Sequence, residues 1–316
     1  MEASGHGKII LLGEHAVVHG RPALAMALGR GCIAHGQLLN ADQQADLLLL
    51  QPFGTRVEYI GADQPLLYED AYGELLARTF ATSFADVPAA RPRLSISAEL
   101  LLPAGAGLGS SAALSVAVAR AIDLALGRTR SPEALLAASM RWEQQCHGNP
   151  SGVDSAMAVY GGVAEYRRGQ PLRALQVARL PTLVVGHSGA APSTREMVER
   201  VAEFHRRDKV AGERIFDGIA ELAERGRMAL LAGDDRLLGE LMVSNQRFLA
   251  ELGLSTDRLE MLCEAALAAG AFGAKLTGGG GGGCMIALCA DAASAQHVRA
   301  ALQQHGADAF IVEGAL

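Results

Sequence analysis

The sequence predicts a mixed fold of helices and strands divided into two domains, and three observations predict it. The chain of 316 residues is long for one hydrophobic core and comfortable for two. Short apolar runs bounded by glycine, the mark of buried strands, are interspersed with longer segments of helical period. An Arg- and Gly-rich stretch at Arg167, Arg168, Gly169 and Gln170 interrupts the pattern and divides the chain into residues 1–168 and 169–316. Half of the residues are hydrophobic but only 4% are aromatic, so the cores are built mostly of Leu, Ala, Val and Ile.

Taken in order, residues 8–12 (KIILL) form a continuous apolar run between Gly7 and Gly13, a buried strand preceded by a short polar start. A loop at 13–20 (GEHAVVHG) leads to a second apolar run at 22–28. Residues 45–60 give two strand-like runs broken at Pro52, Phe53 and Gly54. Residues 68–84 read as a helix with Leu75, Leu76 and Phe80 on one face, and 94–102 alternate as a strand with Leu94, Ile96 and Ala98 on one side. A strong helix over 112–126 ends at Gly127. Ser131, Pro132 and Glu133 open another by the N-cap, first-turn proline and first-turn acid rules, and it stops near Gly148. A turn at 149–152 precedes a short helix over 153–160, closed by Gly161 and Gly162. Beyond the boundary, 172–185 supplies two strands, and helices follow at about 194–206, 215–232, 234–252 and 256–269. A glycine-rich stretch at 273–284, a strand at 285–289, a helix at 293–305 and a strand at 309–312 complete the chain.

Charge and cysteine usage exclude several functions. The net charge is −6 and no basic run occurs, which argues against a nucleic-acid groove. The five cysteines are odd in number and scattered, with no C-x-x-C, which disfavours zinc ribbons and disulfide frameworks and fits a reducing cytoplasm. No apolar stretch reaches the roughly 18 residues of a membrane span; the nearest, 110–126, carries Arg120 and Asp123. A helix-rich surface allows two copies to pair as a homodimer.

Three segments and one short loop carry chemistry. In PAGAGLGSS, Gly105, Gly107 and Gly109 let the backbone approach an anion, and the helix that follows offers first-turn amides to a phosphate. Ser110 and Ser111 can cap that helix or ligate a Mg²⁺ held by phosphates. The plain alternative is a helix cap after a flexible turn. The spacing is neither a dinucleotide fingerprint nor a Walker loop, since no lysine follows the glycines. In the second segment, Lys275, Leu276 and Thr277 precede six glycines, 278–283. Glycine costs about 0.5–1 kcal/mol relative to alanine in regular structure. Six of them inside a folded pattern favour a backbone packed close to a ligand or to the other glycine loop, against a mobile hairpin. In the third segment, WEQQCHGNPSGVDS, Glu143 near one helix end and Asp154 at the start of the next flank a sharp turn. Two carboxylates there suit a metal ligand and a proton acceptor, or simply solvated helix ends. Finally, Lys8 opens a buried strand and wants an anionic partner. His15 and His19 have the i, i+4 spacing of zinc ligands but lack the glutamate base between them.

Together these motifs resemble the GHMP kinase superfamily, named for galactokinase, homoserine kinase, mevalonate kinase and phosphomevalonate kinase. Three signatures stand in the expected order over residues 7–284: Gly7 and Lys8 with GEHAVVHG, PAGAGLGSSAA, and KLTGGGGGGC. GEHAVVHG, HGNPSGVD at 147–154 and PSTRE at 192–196 are similar to the mevalonate kinases within it. The resemblance implies an α+β fold, with an N-terminal ribosomal-S5-like domain, a C-terminal ferredoxin-like domain and the active site between them. It implies transfer of the γ-phosphoryl of ATP to the 5-hydroxyl of mevalonate, with Mg²⁺ as cofactor. It implies that Asp154 accepts the proton of that hydroxyl and that Lys8 stabilises developing charge. By the same resemblance Ser111 and Glu143 hold Mg²⁺, and Pro103, Gly105, Ala106, Gly107, Leu108, Gly109, Ser110 and Ser111 wrap the nucleotide phosphates with Gly278, Gly279 and Gly280. Glu14, His15, Ser151 and Thr194 position mevalonate. Two departures are His6, where the family usually has proline, and Gly279, where alanine is common. The rivals are another GHMP kinase, acting on phosphomevalonate, on the 3-hydroxyl of mevalonate or on a sugar, and a silent small-molecule binder. Loss of Asp154 or Glu143 would mark the silent binder, and both are present.

Overall fold

The computed structural model describes residues 2–61, 68, 71–103, 105–148, 150–190 and 194–312. Strand β1 covers Glu2–Leu12 and, after a single 3-10 turn at Ala16–His19, β2 covers Ala23–Leu38. β3 (Asp46–Gln51) and β4 (Thr55–Tyr59) flank the expected break. Then come α1 (Ala71–Thr82), β5 (Leu94–Leu100), α2 (Ser110–Ala125), α3 (Pro132–His147) and α4 (Val153–Tyr160). β6 (Val163–Tyr166), β7 (Arg173–Ala174) and β8 (Thr182–His187) precede α5 (Thr194–Arg207), α6 (Lys209–Ala232), α7 (Asp235–Glu251) and α8 (Asp257–Ala268). β9 (Gly273–Thr277), β10 (Cys284–Cys289), α9 (Ala292–Gln304) and β11 (Asp308–Ile311) complete the fold.

The caps explain several boundaries. Ser131 Oγ accepts from Ala134 N at 3.2 Å and Pro132 takes the first position of α3, as the sequence predicts. Asp208, Asp234, Thr256 and Asp291 cap α6, α7, α8 and α9 in the same way. Asp208 also starts α6 before the predicted position 215, so α5 and α6 meet at a single capping residue. The expected helix at 68–84 is shorter, and part of its first turn lies outside the described residues.

Two expectations about strands are corrected. The polar start at 1–7 is strand from Glu2 onward, and the apolar run at 22–28 is the first half of a strand that continues to Leu38. Glycine hides both. A Cβ on Gly5 would lie 2.1 Å from the Ala113 carbonyl oxygen, and one on Gly36 would lie 2.5 Å from that of Ala121. Helix α2 therefore packs so closely on β1 and β2 that only glycine fits there. A further strand, β9, occupies the start of the glycine-rich stretch 273–284, to which the sequence pattern assigns no element.

The chain forms two compact units that interleave along the sequence. The first comprises Met1–Gly7, Arg30–Pro103 and Gly109–Tyr160. In it β4 pairs with β3, β3 runs parallel to β5, and β5 pairs antiparallel with the second half of β2. Helices α1 to α4 pack on one another and on this sheet, around Leu48, Phe80, Ile96, Ala117 and Trp142. The second comprises Lys8–Gly29, Ala104–Leu108 and Gly161–Leu316. Its four-stranded sheet has the order β11-β8-β10-β9, and the three neighbouring pairs are antiparallel. Numbered in chain order that is 4-1-3-2, with α5 to α8 between the first two strands and α9 between the last two, a ferredoxin-like arrangement. Its core gathers Val184, Phe216, Leu249, Leu276, Met285 and Val298.

Candidate active site

In the second unit the two glycine loops pack backbone against backbone. Gly105 and Gly107 have φ of 68° and 79°, a region open to glycine. A Cβ on Gly278 would lie 2.8 Å from the Gly107 carbonyl oxygen, and one on Gly283 would lie 3.0 Å from that of Ala106. The 278–283 loop is held on its far side as well. Gly281 N donates to Leu254 O at 2.7 Å, and Gly283 N donates to Ala190 O at 2.8 Å. Beside the loops lies a small open hollow lined by Gly105, Ala106, Gly107, Thr194, Thr277, Gly279, Gly280, Gly282 and Gly283. A concavity of backbone this rich in glycine suits a polyanion. Of the expected nucleotide residues, Gly105, Ala106, Gly107, Gly279 and Gly280 line it.

Three side chains fasten these loops. Lys8, almost fully buried, donates from Nζ to the Gly107 carbonyl at 3.0 Å, while its backbone N donates to Leu108 O at 2.8 Å. Thr277 Oγ1 accepts from Ile10 N at 2.9 Å, which clips the start of the long glycine loop to β1. His15 Nε2 lies 2.9 Å from the Gly279 carbonyl, so Nε2 carries the proton and donates it. Burial pushes the imidazole down to about 4 from its ordinary 6.5, and the ring is neutral at pH 7. His15 also has φ of 61°, the one positive value among the described non-glycine residues. Such strain persists where the surroundings over-determine it, as at functional sites.

Glu14 is placed differently from what its expected role suggests. It is fully buried, and its Oε1 pairs with Lys275 Nζ while its Oε2 accepts from Asn245 Nδ2 at 3.2 Å. Burial pushes the carboxyl up and the Lys275 ammonium down, and each group's charge opposes the other's shift. Lys275 Nζ also donates to the Leu276 carbonyl at 2.6 Å, and Leu276 N donates to Gln246 Oε1 at 2.9 Å. This buried network joins the 13–20 loop, α7 and β9. Thr194 opens α5, exposed, beside Gly279. Pro192 and Ser193 of the PSTRE motif lie outside the described residues.

In the first unit, α2 begins after Gly109, whose φ is 73°, with no side chain capping its first turn. Ser111 Oγ lies 3.4 Å from His147 Nε2 at the end of α3. Glu143, one turn earlier and buried, places Oε2 at 3.7 Å from the same nitrogen. The structure thus gathers the two expected metal ligands around one imidazole. Asp154 stands in the first turn of α4, and Ser151 just before it accepts from Val153 N at 3.4 Å. Asn149 of the intervening turn lies outside the described residues.

Sequence reasoning passed over His147, Asn245 and Lys275. A signal existed for Lys275. It is one of three lysines in the chain, and it sits between apolar residues of a strand, the argument applied to Lys8. Asn245 gave none, being a polar residue in mid-helix whose partner is 231 positions away.

The chain matches known proteins over most of its length. The model of the GHMP kinases N-terminal domain matches residues 72–162, and that of the GHMP kinases C-terminal region matches 227–308. A mevalonate kinase of Methanothermobacter thermautotrophicus is 36% identical over 293 residues, covering 91% of this chain and 89% of the relative. One of Thermococcus sibiricus is 34% identical over 297 residues, covering 90% and 88%. The crystal structure of L. major mevalonate kinase in complex with R-mevalonate superposes with a TM-score of 0.82 at 25% identity, covering 100% of this chain and 96% of that one.

Proposed function

Because the chain belongs to the GHMP kinases and, within them, to the mevalonate kinase family, we infer that it transfers the γ-phosphoryl of ATP to the 5-hydroxyl of mevalonate. The observation that carries the reading is the hollow beside two glycine loops, with Lys8 fastened to the first and His15 to the second. Phosphoryl transfer needs positioning and charge stabilisation more than covalent help, and rigid backbone supplies both.

In this reading residues 105–111 and 278–280, with Pro103, hold the nucleotide phosphates. Asp154 accepts the proton of the attacking hydroxyl as its oxygen bonds to the γ-phosphorus. The bond from that phosphorus to the bridging oxygen breaks, leaving ADP and 5-phosphomevalonate. Lys8 stabilises the charge that develops. His15, Ser151 and Thr194 position mevalonate. Glu14, with both oxygens engaged inside the protein, does so indirectly, by anchoring the loop that carries His15.

Kinases that use ATP work with a divalent metal, and we take it to be Mg²⁺. The residues fit that ion: Ser111 and Glu143 are hard oxygen donors converging on His147, and Mg²⁺ commonly takes one or two carboxylates together with substrate phosphates. When bound, the ion supplies neutralisation of phosphate charge. No helix among the described residues is long and apolar enough to cross a membrane. The free cysteines fit the cytoplasm in which we place the activity, and the helix-rich surface permits a homodimer. The division at 168/169 belongs to the same reading, with the two family models matching on either side of it.

Steady-state kinetics of two variants test these roles. Asp154→Ala lowers kcat by about 10²–10⁴-fold with the fold intact, the range a positioned base supplies; near-normal turnover excludes Asp154 as the base. Glu143→Gln raises the Mg²⁺ concentration needed for half-maximal rate; an unchanged Mg²⁺ dependence removes Glu143 from the metal site.

A further inference from the structure

Three buried serines tie together the helices that carry Ser111, Glu143 and Asp154. Ser115 stands one turn after Ser111 on α2, Ser139 one turn before Glu143 on α3, and Ser155 next to Asp154 on α4. Their exposures are 2%, 1% and 0%. Ser115 Oγ and Ser139 Oγ are 2.7 Å apart, and Ser139 Oγ lies 2.9 Å from Ser155 Oγ; with one proton per hydroxyl, both contacts are hydrogen bonds when Ser155 donates to Ser139 and Ser139 to Ser115. Ser115 Oγ also bonds the Ala112 carbonyl at 2.8 Å. Each helix contributes one hydroxyl, and the middle one touches both others.

We propose that this serine chain is a positioning device for the metal and base groups of the active site. The proposal rests on the reading of Ser111, Glu143 and Asp154 given above. Alanine would be the simpler residue at these three places, because the neighbouring core is apolar, with Ala112, Val116, Ala119, Ala158 and Val159. Serine is a poorer helix former than alanine, and its hydroxyl is costly to bury without a partner. A serine in mid-helix usually satisfies itself on a carbonyl of its own helix, as Ser115 does on Ala112. Ser139 instead reaches across to two other helices.

The physical difference lies in stiffness. Packed methyl groups attract weakly per contact and without a preferred direction. A hydrogen bond restricts both distance and angle, so two in series hold three helices to a few tenths of an ångström. The reading's functional groups lie within one turn of the tie, about 6 Å along a rigid helix. A displacement at the serines therefore reaches Ser111, Glu143 and Asp154 with little loss, and misplacement by about 1 Å can cost about 10²-fold in rate.

The test compares the full-length parent with the triple variant Ser115→Ala/Ser139→Ala/Ser155→Ala. Removing all three hydroxyls together leaves none of them unpaired, so stability is nearly kept. Melting temperature, kcat, KM for mevalonate and the Mg²⁺ concentration at half-maximal rate are measured on both. The expected result is a melting temperature close to the parent's, kcat lower by about tenfold or more, a raised Mg²⁺ requirement, and a mevalonate KM within about twofold. Parent-like kcat and Mg²⁺ dependence, whatever the melting temperature, overturn the proposal and leave the serines to packing alone. Should the triple variant fail to fold, Ser155→Ala with an unchanged near-ultraviolet spectrum carries the same test. It removes the hydroxyl beside Asp154, and parent-like kinetics there overturn the proposal equally. Asp154→Ala and Glu143→Gln run alongside separate the two levels. If they too leave kcat and Mg²⁺ dependence unchanged, the site reading has failed. If they act and the serine variants do not, only the tie has failed.

Discussion

His15 shows how one residue couples the 13–20 loop to the glycine loop 278–283. Its ring is buried, neutral and bonded to the Gly279 carbonyl. Folding depresses its affinity for a proton, so the unfolded chain binds more protons between the two values. The stability this contributes is present above 6.5 and is lost as pH falls from 6.5 toward about 4, at most about 3 kcal/mol. His15→Gln should therefore flatten the decline in unfolding free energy between pH 7 and pH 5, measured by urea titration. Equal slopes in parent and variant contradict the assignment, and comparing slopes cancels other titrating groups. Lys275 makes a second prediction at this scale. Lys275→Met leaves Glu14 buried without its counter-charge, and breaking such a pair costs about 3–5 kcal/mol. A loss below about 1 kcal/mol would show that Glu14 is neutral in the folded protein and needs no partner.

At the scale of elements, the glycine loop is not uniform. Gly280, Gly281 and Gly283 have positive φ, and a Cβ on them would strike Leu254, Met197 and Ala106. Gly279 is outside that region, and its added Cβ would meet Thr194 at an ordinary 3.5 Å. The alanine common in the family at this position thus fits here. Gly279→Ala should raise stability by about 0.4–1 kcal/mol through the unfolded chain and keep activity, whereas Gly283→Ala should lose both. Thermal melts and turnover of the two variants check this; equal effects refute the distinction. The same chemistry explains which elements were legible. Ser131, Pro132 and Glu133 announced α3 because capping is a local affair. Gly5, Gly31 and Gly36 concealed the extents of β1 and β2, because a glycine required by a close neighbouring backbone, that of α2 at Gly5 and Gly36 and that of β1 at Gly31, looks in sequence like a break. The strand β9 was masked in the same way by the glycines that follow it.

For the whole molecule, the family and the loops were legible because glycine spacing is a local pattern that survives in sequence. The site's supports were not. Asn245, Gln246 and Lys275 act through partners brought together only by the fold, and the serine tie joins residues on three helices that no periodicity relates. The acceptor is the claim on which the whole account turns. It is tested most directly by coupled ADP release with MgATP across mevalonate, 5-phosphomevalonate, galactose and homoserine, with the phosphorylated carbon of the product identified by NMR. The account predicts turnover of mevalonate to the 5-phosphate and little with the others. Phosphorylation at the 3-hydroxyl, turnover only of another acceptor, or no ADP release with mevalonate would contradict it.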